Sequence, residues 1–118
     1  MQRRWHFVLG CALMLAAASH VHAHAFLDHA APVVGSTVHG SPSQIKLWFT
    51  QSLEPAFSTV RVLDAANRQV DKSDAKAAAA VLQVSVPPLA PGRYRVVWRV
   101  LSTDTHVTEG DFTFDVAP

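Results

Sequence analysis

Beyond residue 23 the sequence has no cysteine and no methionine; Met1, Cys11 and Met14 all lie upstream. That absence excludes a disulfide frame for the remaining chain, which must be held by its core alone. It also excludes every thiolate and thioether metal ligand there. Charge of one sign is not in excess: 10 Lys and Arg stand against 9 Asp and Glu. From residue 24 onward the balance is eight cations to nine acids, a net charge of −1. No basic run and no aromatic-basic face occurs, so nothing points to nucleic acid. Long hydrophobic runs are lacking too. Phe7 to Ala18 is the longest, and about a dozen residues are too few to span a bilayer.

What is present begins with a composite leader. Arg3 and Arg4 precede that apolar run, and Ser19-His20-Val21-His22-Ala23 follows as a polar stretch ending in a small residue. This order is that of a secretory signal peptide. The chain therefore divides into a leader, 1–23, and an exported domain, 24–118, expected to be soluble. Ala16-Ala17-Ala18 also satisfies the small-x-small rule, but a cut there leaves no polar stretch before it. Cys11 as a lipoprotein cleavage site fits less well, because the apolar run continues past it.

Period-two patterns dominate the exported domain. Ile45, Leu47 and Phe49 alternate with Lys46, Trp48 and Thr50. Similar alternation covers Thr59 to Leu63, Gln83 to Val86, Arg93 to Leu101 and Asp111 to Val116. Each predicts a half-buried strand. Ala25 to Leu27 and Arg68 to Val70 supply two short ones more. Gly40-Ser41-Pro42, Glu54-Pro55, Ala66-Asn67, Pro87-Pro88 and Pro91-Gly92 punctuate them as turns. Ala-rich Asp74 to Ala80 reads as a mobile connection or a frayed helical turn. The expected fold is all-β: an antiparallel sandwich or Greek-key barrel of about seven strands.

Four histidines remain after the leader: His24, His29, His39 and His106. Cleavage after Ala23 would make His24 N-terminal. Its free α-amine and imidazole Nδ1 can then chelate one metal through a six-membered ring. Asp104-Thr105-His106 falls between the two strongest strands. In extended backbone, residues i and i+2 point the same way, so Asp104 and His106 can face one ion. Three nitrogens and one carboxylate oxygen suit Cu(II), which the Irving–Williams order also favours. Zinc accepts the same donors tetrahedrally. Taken singly, an Asp-x-His loop is usually a polar turn and a terminal His usually incidental. Only their combination points to a site. His29 and His39 read as solvated surface residues, Trp48 and Trp98 as core or near-core aromatics, and Glu109 as a surface charge or an outer-shell partner.

The stretch from Tyr94 through Asp104-Thr105-His106 to Gly110-Asp111-Phe112-Thr113-Phe114 resembles the signature of the CopC family of periplasmic copper-binding proteins. His24-Ala25-Phe26-Leu27, Ala31-Pro32, Gly35-Ser36 and Ile45 to Thr50 resemble that family's N-terminal half. The resemblance implies a seven-stranded Greek-key β-barrel or sandwich. It implies one Cu(II) per mature chain on His24, Asp104 and His106. It further implies a periplasmic role in copper resistance, sequestration or delivery to a separate CopD-type membrane partner. Two departures stand out. Without methionine, the Cu(I) site of some members has no counterpart. Gln51 stands where members often carry Glu, and adds no negative charge.

Two other readings stay open at this stage. An N-terminal His with a second His also resembles the copper brace of lytic polysaccharide monooxygenases, although no flat aromatic surface for a polysaccharide is evident. A metal-free sandwich serving as a binding module is the other. In a chain that still carries its leader, the His24 nitrogen is an amide and the copper site should be incomplete.

Overall fold

The structure is a computed structural model and describes residues 24–118. The proposed leader lies outside the described residues. Among the described residues eight strands form: β1 (Leu27–Ala31), β2 (Thr37–His39), β3 (Gln44–Phe49), β4 (Thr59–Leu63), β5 (Lys76–Ala78), β6 (Val81–Ser85), β7 (Gly92–Leu101) and β8 (Val107–Ala117). They make two four-stranded sheets, in the orders β1-β3-β6-β5 and β2-β8-β7-β4. The result is the expected sandwich, and among the described residues no barrel closes. Among the described residues no helix is long and apolar enough to cross a membrane.

The alternation read from the sequence becomes the sandwich interior. Ile45, Leu47 and Phe49 of β3, with Leu82 and Val84 of β6, point inward from the first sheet. Val60 and Val62, then Tyr94, Val96, Trp98 and Val100, then Phe112, Phe114 and Val116 meet them from the second. Each fully buried side chain of this kind contributes about 1.5–3 kcal/mol. The Tyr94 hydroxyl donates to the Ala90 carbonyl at 2.6 Å and pins the start of β7.

Several local expectations are corrected. Asp74–Ala80 is neither helix nor loose connection. Lys76–Ala78 pairs antiparallel with β6 as an edge strand, because Ala77 can lean on the core opposite Leu82. Arg68–Val70 is not a strand; it makes one bridge, Leu63 to Gln69. The N-terminal strand starts at Leu27, later than the expected Ala25. Thr37–His39, which lacks a readable alternation, forms β2 and runs parallel to β8. The sandwich is therefore not wholly antiparallel. Trp48 lies half-buried on the outer face of β3, as its alternation with Leu47 and Phe49 dictates. His29 stacks on it at 4.3 Å.

Trp98 does enter the core, edge-on to Phe49 at 5.1 Å. Its ladder partner is Gly110 on β8. A Cβ at Gly110 would lie 2.6 Å from Trp98 Cζ2, inside any real contact distance. Gly110 is thus required by the indole and not by a turn. Gly110→Ala should lower stability by about 1–3 kcal/mol, the usual cost of overpacking. Urea unfolding followed by tryptophan fluorescence measures this, and an unchanged midpoint would contradict the packing described.

Candidate metal centre

The two strongest strands, β7 and β8, are joined by a tight connection at one end of the sandwich, and this connection carries Asp104 and His106. It is a turn and not extended backbone. Thr105 sits at φ +75°, a region that β-branched residues rarely adopt. Asp104 and His106 therefore come together by folding back, and not through the i, i+2 geometry of a strand. Asp104 Oδ1 lies 3.3 Å from His106 Nδ1.

Ser102 organises this turn. It is fully buried. Its hydroxyl donates to Asp104 Oδ1, and the His106 amide approaches the same hydroxyl at 3.4 Å. Its backbone N–H donates to the His106 carbonyl at 3.0 Å, and its carbonyl accepts from Thr105 at 2.9 Å. The Ser102 hydrogen bond is the main reason the Asp104 carboxyl is held below the usual carboxylate range; partial desolvation opposes it, and His106 adds to it.

This shift has a definite pH signature. A carboxylate with a depressed folded pKa adds stability that is present above its unfolded value, about 3.9. That stability is lost as pH falls through the folded value. Ser102→Ala should raise the Asp104 pKa toward the ordinary range. The variant should be less stable than the parent at neutral pH, with a deficit that shrinks below about pH 4. Carboxyl-carbon NMR titration and acid unfolding check both; an unmoved Asp104 titration would remove Ser102 from this role.

His24 reaches the same end by way of the first sheet. Thr50 follows β3 directly, and its Oγ1 donates to the His24 carbonyl at 3.2 Å and accepts from Phe26 N–H at 2.9 Å. Thr50 N–H donates to the Phe26 carbonyl at 2.9 Å. From the second sheet, Thr108 donates to the Ala25 carbonyl at 2.6 Å. Ala25 is fully buried between these ties. The segment after β3 also grips the turn: Thr103 N–H donates to Ser52 at 3.0 Å, and Leu53 bridges Ser102. Residues 50–54 thus form a common frame for His24 and for the Asp104–His106 turn.

The frame brings the imidazoles of His24 and His106 edge to face, with ring centroids 4.5 Å apart and an interplanar angle of 87°. The Nδ1 atoms of both are shielded from solvent. Phe26 packs against His24 at 5.9 Å. Among the described residues, no three His, Cys, Asp or Glu are gathered as a preformed metal cage. His29 and His39 lie apart from this pair. His29 is exposed on β1, with Nδ1 2.6 Å from Asp28 Oδ2, and His39 ends β2. Glu109 is exposed opposite Arg99. Gln51 is half-buried in the framing segment. Sequence reasoning singled out His24, Asp104 and His106 as candidates but missed Thr50, Ser102 and Thr108, which position them. Single hydroxyls at strand ends give no periodic signal, and only pairing register reveals their partners.

Comparison with known proteins gives one consistent result. Residues 27–117 match the family model described as the CopC domain. The chain is 36% identical over 118 residues to copper resistance protein C of Xanthomonas campestris pv. juglandis, covering 92% of this chain and 91% of that protein. The crystal structure of CopC from Methylosinus trichosporium OB3b superposes with a TM-score of 0.71 at 39% identity, covering 80% of this chain and 95% of that one. PcoC from Escherichia coli, described as a methionine-rich copper resistance protein, superposes with a TM-score of 0.71 at 31% identity, covering 80% and 100%.

Proposed function

The chain belongs to the CopC family, and from that premise we propose that it is a periplasmic Cu(II) carrier or buffer without catalytic turnover. The leader, 1–23, directs export and is cleaved after Ala23. The mature chain, 24–118, then binds one Cu(II) through the His24 amine and imidazole, Asp104 and His106. A separate CopD-type membrane protein is the exchange partner.

The approach of the two imidazoles supports this reading most directly. A metal at an imidazole bond length of about 2.0–2.1 Å lies about 3 Å from the ring centroid. Two imidazoles at adjacent positions of a square set then have centroids about 4.4 Å apart. His24 and His106 stand at 4.5 Å. The donor chemistry agrees: nitrogen and carboxylate oxygen, with no sulfur after residue 23, favours Cu(II) over Cu(I). In this respect the chain differs from its methionine-rich relative.

The protein's own contribution is positioning. Thr50 and Thr108 fix the backbone beside His24, whose imidazole lies against that of His106. Ser102 keeps Asp104 ionised and aimed. Because amine and imidazoles must shed protons to bind, affinity should fall as pH falls. Titration of the mature chain with Cu(II), followed by EPR, tests the proposal. A single tetragonal signal saturating at one equivalent is expected. Saturation at another ratio, or a signal lacking nitrogen coupling, would exclude this site.

A further inference from the structure

Two shallow grooves on the outer face of the second sheet join into one surface that starts at the metal end. The first, of about 380 Å³, is lined by Phe57, Leu101 and Val107 and closes on Arg99. Val107 directly follows His106. Phe57 is 70% exposed and Val107 50%, large apolar residues left in solvent. Phe57 sits on a short 3₁₀ turn, Pro55–Phe57, that follows the framing segment. The second groove, of about 400 Å³, shares Arg99 and continues to Arg61 and Arg95.

The charges there are unequally matched. Glu109 and Asp111 are the acids of this stretch, and Arg95 lies 3.6 Å from Asp111. Among the described residues no carboxylate forms an ion pair with Arg61 or Arg99. Guanidinium forks without a carboxylate partner are suited to bidentate capture of one from outside. An apolar pocket beside them takes a bulky side chain as an anchor.

We propose that this groove docks an acidic protein segment carrying a bulky apolar residue, contributed by the protein that exchanges copper with this chain. The proposal rests on the copper reading above. Its added content is the surface and the chemistry of the partner. A segment seated with its apolar residue on Phe57 and Val107 places its neighbouring groups beside His106, where ligand exchange takes place. Its carboxylates then meet Arg99 and Arg61. The concave, two-part form distinguishes this surface from a flat basic patch suited to lipid headgroups.

The test uses the mature chain labelled with nitrogen-15 and a synthetic peptide of alternating leucine and glutamate as probe. Amide shifts should concentrate at Phe57, Arg61, Arg99, Leu101 and Val107, and should fade with added salt. Charge removal by Arg61→Gln with Arg99→Gln should weaken binding at least about tenfold. Phe57→Ser should do the same, and both variants should keep the parent's thermal midpoint and Cu(II) EPR spectrum. Absence of shifts in millimolar peptide, or shifts elsewhere, would overturn the proposal. So would tighter binding of phosphatidylglycerol vesicles through the same arginines, or self-association that buries Phe57. Failure of the copper reading shows separately, as a missing EPR signal in a chain whose groove still binds peptide.

Discussion

A mature chain whose His24 amine is acetylated should bind Cu(II) more than about a hundredfold more weakly than one whose amine is free. Loss of an outer-shell partner alone costs metal sites about 10–100-fold, and here a direct donor is removed. Acetylation converts the amine to an amide with no neighbouring amine to anchor the metal, so its nitrogen keeps its proton near neutral pH and offers no lone pair. It also breaks the chelate ring, so the His24 imidazole must bind alone. The fold should be unaffected, because the ties to this segment run through the carbonyls of His24, Ala25 and Phe26 and the Phe26 N–H. Competition with a chelator of known affinity measures the difference. Equal affinity in acetylated and free-amine chains would remove the amine from the site and with it the need for processing.

The sandwich was legible because its long strands alternate cleanly. Val96, Trp98 and Val100 on β7, with Phe112 and Phe114 on β8, carry the core face almost without interruption. The short edges were not legible. Lys76–Ala78 is a strand only because β6 offers it an edge, and alanine has no strong preference for that state. Thr37–His39 likewise takes its state from β8. The spacing pointed to Asp104 and His106 as neighbours, which lie 3.3 Å apart, but the route by which they meet was not legible. A positive φ at Thr105 is imposed by the hydrogen bonds that Ser102 makes on both sides, and no local propensity announces it. Strain of about 1–3 kcal/mol at such a residue persists only where its surroundings over-determine it. Here the over-determination comes from the segment 50–54 and from buried Ser102.

That same rigidity makes His106→Ala the sharpest test of the side chains. The imidazole is 42% exposed, so its removal leaves no buried cavity. The metal-free variant should stay within about 1 kcal/mol of the parent. Copper affinity should nevertheless fall more than about a hundredfold, since a direct nitrogen donor is lost. EPR should then show nitrogen coupling from the His24 amine and imidazole alone. Asp104→Asn should cost less, because the amide keeps an oxygen donor and loses only the charge. The two variants separate further in thermal unfolding. Metal that binds only the folded chain stabilises it by about 2.7 kcal/mol at a hundredfold excess over Kd. Copper should therefore raise the melting temperature of the parent clearly, that of Asp104→Asn by less, and that of His106→Ala least. If His106→Ala keeps the parent's copper-induced shift, the closeness of the His24 and His106 rings has another cause, and the metal is bound elsewhere.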